Sequence, residues 1–217
     1  HSMRPLHASL QIWSYFKGGC IKMIKNILLI GVGGQGTILT SKILSAGLVE
    51  LGFDVKMSEI HGMSQRGGSV TTQIRYGEKI YSPNIGEGEA DIMVAFEKSE
   101  AVRGLPFLKK GGTIVVDDRE IYSLPVMIGT IPYPDGVIEA LKSTVSHVVV
   151  LEATRIATEL GNVRAQNIVL LGSLVAYLGL EGIDWKELVG KMVPAKAKEL
   201  NQKAFQAGFD FYLSSEK

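Results

Sequence analysis

The sequence predicts an α/β fold: a three-layer α/β/α sandwich around a Rossmann-like, mostly parallel sheet that includes one antiparallel hairpin. Three observations carry this. An apolar run at residues 26–30 breaks at Gly31-Val32-Gly33-Gly34-Gln35-Gly36 and gives way to a helical pattern, the opening of a βαβ unit. Further short apolar runs at 90–96, 113–116 and 147–151 alternate with helical stretches. Finally, Val70, Thr72, Ile74 and Tyr76 alternate with polar residues, and Gly77-Glu78 then turns the chain into Lys79-Ile80-Tyr81, a hairpin signal.

After the glycine turn, Ile38, Leu39, Ile43, Ala46, Leu48 and Leu51 give an apolar helix face that stops at Gly52. Residues 53–57 read as the second strand. A polar, glycine-rich loop, 58–69, stands where a crossover helix would be routine. Residues 98–108 read as a short helix closed by Lys109-Lys110-Gly111-Gly112, and 119–134, with Pro125, Pro132 and Pro134, as an irregular crossing. Helices are expected at 138–143, 153–160, 164–178, 184–193 and 195–207. In the third of these, Ile168, Leu171, Val175 and Leu178 share a face, Gly172 permits a close helix contact, and Gly179 is a stop signal.

One domain, 23–217, is the simplest reading of a 217-residue chain. His1-Ser2 resembles a cloning remnant. Residues 3–22 lack periodicity, and Lys17-Gly18-Gly19 is what a ribosome-binding sequence encodes just upstream of Met23. The expectation is that Met23 is the native start, the alternative being an N-terminal arm in which Trp13, Tyr15 and Phe16 dock on a partner. A net charge of +1 with scattered Lys and Arg argues against nucleic acid. No apolar run approaches the roughly 20 residues of a membrane span. Cys20 is the only cysteine, so the chain has no internal disulfide and cannot supply the thiolates of an iron–sulfur cluster; His1, His7, His61 and His147 lack ligand spacing, and no metal is expected.

The glycine turn has three readings: a dinucleotide fingerprint from Gly31, Gly33 and Gly36, a tight turn that binds nothing, or a backbone cradle or docking surface. The dinucleotide reading wants an acid closing the second strand; Glu59 is the candidate, slightly late. The loop is more informative. Gly62, Gly67 and Gly68 relax its backbone, while His61, Ser64, Gln65 and Arg66 supply polar groups with little apolar content to bury. Arg66 suits a carboxylate or phosphate, and His61 suits acid–base work. In a doubly wound sheet this loop and Gly31–Gly36, including Gly34 and Gln35, lie at the carboxyl ends of neighbouring strands and form one polar rim. Asp117-Asp118 ends a strand at that rim; paired acids there could bind Mg²⁺ or cap Arg119 onward, and without further ligands they read as a cap and a solvated charge. The sequence has no nucleophile elbow, P-loop lysine, H-E-x-x-H or EF-hand loop.

The strings NILLIGVGGQG, SEIHGMSQRGGSVTTQIRYG and YSPNIGEGEADIMVAFE, with RAQNIVLLGSL and KELNQKAFQAG, resemble the small (beta) subunits of indolepyruvate:ferredoxin oxidoreductases, which group with the gamma subunits of pyruvate and other 2-oxoacid:ferredoxin oxidoreductases. The resemblance runs from about Met23 to Gly208, and H-G-M-x-Q-R-G-G-S-V favours the indolepyruvate type. It implies a cytoplasmic, non-redox subunit, at home in an anaerobe. Its large partner subunit carries thiamine diphosphate and [4Fe–4S] clusters, and the complex converts an aryl-2-oxoacid and coenzyme A to an aryl-acetyl-CoA, carbon dioxide and reduced ferredoxin. The rim then faces the partner or the coenzyme A route. Rival readings are an independent NAD(P)-binding protein, a scaffold, and a gamma subunit for a different 2-oxoacid.

Overall fold

The computed structural model describes residues 24–61 and 67–215. The expectations for residues 1–22 and for Met23 lie outside the described residues.

Among the described residues six strands form one sheet: β1 (Lys25–Val32), β2 (Asp54–His61), β3 (Ser69–Gly77), β4 (Ala90–Ala95), β5 (Leu108–Asp117) and β6 (His147–Leu151), in the order β2-β3-β1-β4-β5-β6. β1, β4, β5 and β6 run parallel, while β3 is antiparallel to both β1 and β2. The continuous apolar run of β1 follows from its position. It pairs with β3 on one side and β4 on the other, and every residue from Ile27 onward is buried.

The antiparallel hairpin exists, but not where the alternation placed it. β2 and β3 are its arms, and residues 79–81 form no strand. The reason is occupancy: β3 already has β2 on one edge and β1 on the other, so a returning strand finds no free ladder. The chain after Gly77 is tied by side chains instead. Asp54 Oδ2 accepts the Ile80 N–H at 2.8 Å, and Arg75 donates to the carbonyls of Ser82 and Asn84 at 3.2 and 3.0 Å.

The remaining elements are α1 (Thr37–Glu50), α2 (Lys98–Gly104), α3 (Leu124–Met127), α4 (Val137–Thr144), α5 (Ala153–Glu159), α6 (Gln166–Leu178), α7 (Trp185–Met192) and α8 (Lys198–Ser215). Residues 109–112, expected to close a helix, instead lie inside β5, after a single 3-10 turn at Leu105–Phe107. Gly111, at φ 77, lies within a register irregularity between β4 and β5, where Lys109 pairs with Asp91.

Alternate residues of the central strands divide between two cores. Ile27, Leu29, Ile92, Val94 and Val115 face α1, α5, α6, α7 and α8; Leu28, Ile30, Met93, Ile114 and Val116 face α2 and α4. The first layer is two helices deep, because α6 lies beneath α8. Residues 166–176 of α6 are all buried. The two helices touch backbone to backbone: a Cβ on Gly172 would lie 2.1 Å from the Phe205 carbonyl oxygen, and one on Gly208 only 1.8 Å from that of Val169. Gly179, at φ 61, ends α6 as its position predicts. Among the described residues no helix is long and apolar enough to cross a membrane.

Candidate functional site: the carboxyl-end rim

The glycine turn follows β1 directly. Gln35 is buried beneath it: its Oε1 accepts the Val32 N–H at 2.7 Å and its Nε2 donates to the Phe96 carbonyl at 2.6 Å. Gly31 makes room for that side chain, since a Cβ there would stand 2.9 Å from both Gln35 Oε1 and Phe96 Cβ. Gly36, at φ 84, opens α1 against Asn167 of α6, whose Nδ2 donates to the Gly36 carbonyl at 3.3 Å. The Gly33 N–H goes to the Gly68 carbonyl at 2.8 Å and the Gln35 N–H to the Val32 carbonyl at 3.1 Å. Several of the groups a phosphate would use are thus spent within the protein, and two of the three motif glycines answer to side chains of this chain. Gly34 alone is exposed, at φ 103, with open space around it.

The Gly33–Gly68 bond joins the turn to the chain just before β3. The turn and the end of β2 are not at neighbouring parallel strands, because β3 runs between β1 and β2. Glu59, in β2 opposite Thr72, consequently lies two strand spacings, about 10 Å, from β1. A dinucleotide ribose expects that acid on the strand beside the glycine turn.

Two acids that the sequence reading passed over organise the other side of the rim. Glu97, fully buried after β4, caps α2: its Oε2 accepts from the Glu100 N–H at 3.0 Å and the Ser99 hydroxyl at 2.5 Å. Its Oε1 accepts the Ile121 N–H at 3.3 Å and the Tyr133 hydroxyl. Burial and this donation to a carboxylate push the Tyr133 phenol up. Glu100, one turn on, accepts from the Ser69 hydroxyl at 2.5 Å, with Arg103 at 3.3 Å. Burial raises its carboxyl above the ordinary value, against the lowering effect of Ser69 and Arg103. Only the placement of Glu97 directly after a buried strand, three residues before another acid, could have signalled the cap.

Asp117 and Asp118 diverge. Asp117 is fully buried and serves the start of α5, accepting the Thr154 N–H at 3.2 Å with the Thr154 hydroxyl 2.6 Å away; burial raises its carboxyl. It caps α5 rather than the residues from Arg119 onward. Asp118 pairs with Lys98 at 3.1 Å. Gln166, buried at the start of α6, accepts from Arg119. Gln166 and Asn167 thus hold two rim segments from the far end of the sequence, a role no local pattern marks.

Against known proteins, a family model described as pyruvate ferredoxin/flavodoxin oxidoreductase matches residues 26–211. The chain belongs to this family. It is 37% identical over 190 residues to the indolepyruvate oxidoreductase subunit IorB of Pyrococcus horikoshii, covering 84% of this chain and 93% of that protein. Among solved structures it is similar to the gamma subunit of a keto/oxoacid ferredoxin oxidoreductase from Geobacter sulfurreducens (TM-score 0.65, 25% identity, 88% of this chain and 99% of that one). It also shares its fold with part of the 2-oxoglutarate:ferredoxin oxidoreductase of Magnetococcus marinus, a structure holding 2-oxoglutarate, coenzyme A and succinyl-CoA (TM-score 0.69, 21% identity, 89% of this chain and 32% of that one).

Within this family fold, the predicted site residues divide. Gly31, Gly33, Gly34, Gln35, Gly36, Gly67 and Gly68 meet at the rim; Glu59 stands apart on β2. The side chain of His61 and the residues Gly62, Ser64, Gln65 and Arg66 lie outside the described residues. Among the described residues no group of His, Cys, Asp and Glu has the arrangement of a metal site.

Proposed function

We propose that this chain is the small, cytoplasmic subunit of an indolepyruvate (arylpyruvate):ferredoxin oxidoreductase, inactive without its large subunit. The observation that carries this is the 37% identity to an indolepyruvate oxidoreductase subunit over 84% of this chain and 93% of that one. The complex converts an aryl-2-oxoacid and coenzyme A to an aryl-acetyl-CoA and carbon dioxide, passing two electrons to ferredoxin. The donor set of this chain does not fit the redox centres. A cluster takes several thiolates, and the sequence has a single cysteine, Cys20. The [4Fe–4S] clusters are therefore assigned to the large subunit; thiamine diphosphate is placed there by the family resemblance alone, and would supply the carbanion chemistry.

What this chain contributes is a shaped rim. Gln35, Asn167 and the Gly33–Gly68 bond fix the turn, and Glu100 holds the start of β3 through Ser69. β2 ends at His61 and the described chain resumes at Gly67 beside the turn, so His61 and Arg66, which sequence places at and between those points, are the candidates to orient the acyl acceptor, coenzyme A, at the subunit boundary. Arg66→Ala in the assembled complex should raise the apparent KM for coenzyme A while leaving assembly intact; unchanged KM and assembly would remove this role.

The assignment itself is tested by purifying the chain anaerobically together with its large subunit and following ferredoxin reduction. Reduction with indolepyruvate or phenylpyruvate, and little with pyruvate or 2-oxoglutarate, is the expected result. A preference for pyruvate or 2-oxoglutarate would move the chain to another 2-oxoacid. Stabilisation of the isolated chain by NAD would revive the dinucleotide reading.

A further inference from the structure

We propose that residues 121–133 are a pre-shaped docking loop for the large oxidoreductase subunit, with Leu124, Met127 and Ile128 as its apolar crown. The inference rests on the functional reading above and adds where the large subunit sits.

The loop is closed at its base by one atom. Glu97 Oε1, with no exposure to solvent, receives both the Ile121 N–H and the Tyr133 hydroxyl, which fastens the two ends of the loop to the same buried carboxylate. The rings of Tyr122 and Tyr133 lie 5.3 Å apart across that base. Outside it, Lys98 pairs with Asp118 at 3.1 Å and with Glu120 at 2.7 Å, tying down the chain that leads in. Within the loop, α3 is a single turn: the Ile128 N–H donates to the Leu124 carbonyl at 3.0 Å, and the Thr130 N–H to the Pro125 carbonyl at 2.8 Å.

The crown points the other way. Leu124, Met127 and Ile128 stand at i, i+3 and i+4 on one side of that turn, with exposures of 68%, 70% and 68%. Together they present on the order of 400 Å² of apolar surface, near the size of the largest patch on a typical monomer and about half of what one side of a standard interface buries. Tyr122 and Ile131 flank them, also about half exposed. From Ile121 to Pro134 the sequence has no charged residue, which suits an apolar protein surface and disfavours a phosphate-rich or strongly charged partner.

The occupant follows from the functional reading above: the first partner of a small subunit is its large subunit, and an uncharged apolar patch of this size is the kind of surface such a partner covers. In the Magnetococcus protein the same fold makes up 32% of a much longer chain. A loop whose shape is set before contact spares the binding reaction the cost of ordering it, a way to gain affinity from few residues.

The test is anaerobic binding of the immobilised large subunit to this chain and to the triple variant L124D/M127D/I128D. Because the three side chains are solvent-exposed, the variant should keep the circular dichroism and melting temperature of the parent. The expected result is binding at least tenfold weaker, as for loss of a hot spot. Tyr133→Phe, which leaves the crown intact but opens the clasp, should weaken binding by a smaller factor. Equal affinity of parent and folded triple variant would overturn the proposal while the functional reading stands. So would a parent chain that self-associates through the crown, with a monomeric variant that still binds the large subunit normally. A parent chain that does not bind the large subunit at all would overturn the functional reading and this inference with it.

Discussion

The glycine turn and the α6–α8 helix pair both depend on glycine, and the comparison reverses what their sequences advertise. The turn has the spacing of a phosphate-binding fingerprint, yet Gly31 and Gly36 make room for Gln35 and Asn167 of the protein itself. The helix pair carries no binding motif, yet its glycines permit closer approach: Gly172, which the sequence already marks as a site of close helix contact, and Gly208 let two backbones meet. Spacing identifies a turn; only the partner of each missing Cβ says what the turn is for.

The largest effect should come from the helix pair. Gly208→Ala puts a Cβ into the Val169 carbonyl, and the helices must separate; a loss of at least about 3 kcal/mol is expected, at the upper end for overpacking, read from the urea midpoint of the isolated chain. If the loss were under about 1 kcal/mol, the α6–α8 contact would be adjustable and the comparison would fail. Next, Gln35→Ala leaves the Val32 N–H and the Phe96 carbonyl without their partner beneath the turn, costing about 2 kcal/mol in the same measurement. Gly34→Ala meets no neighbour and suffers only its positive φ, about 1 kcal/mol. If NAD or coenzyme A binding nevertheless collapsed in Gly34→Ala with the fold intact, the exposed apex of the turn would be a ligand contact after all.

The subtlest test is of pH. The carboxyl of Glu100 is raised in the folded state, chiefly by burial, so the folded chain holds this proton where the unfolded chain has lost it. The stability it contributes is present below the ordinary glutamate value of 4.5 and is lost as pH rises through the higher folded value. Glu100→Gln removes that dependence. Denaturation midpoints of parent and variant should therefore diverge in favour of the variant as pH rises across this window, then run parallel. Asp54, whose carboxyl is held low by the Ile80 N–H and Lys56, has the opposite slope, but both proteins share it.

Much of the fold could be read directly. β6 falls where its run of valines placed it, α6 ends at the predicted glycine, and the β1–turn–α1 unit follows from one apolar run and six residues. What escaped depended on neighbours remote in sequence. Local alternation points to the wrong second arm for the hairpin because it cannot tell that both edges of β3 are taken. Residues 109–112 look like a helix stop because a lysine pair and two glycines end helices often, whereas here Gly111 serves an irregular strand. At the site, the glycine turn and the Gly68 that meets it were legible from the glycine pattern. Glu97 was not, since its partners Ile121 and Tyr133 are 24 and 36 positions away, nor was Asn167, which reaches Gly36 across 131.

The central place of β1 has a consequence for how the chain is made. Among the described strands β1 emerges first, but its two ladders wait for β3 and β4, and α1 beside it is held by residues still later: Asn167 against Gly36 and Trp185 against Gly47. During synthesis the strands therefore appear well before α6 and α8, which cover one face of the sheet. Contacts of such long sequence separation close slowly, and the half-made chain presents a bare apolar sheet in the meantime. Production of this protein should be limited by protection of that nascent face, so chaperone supply and slow translation should raise soluble yield more than any stabilising substitution in the finished fold.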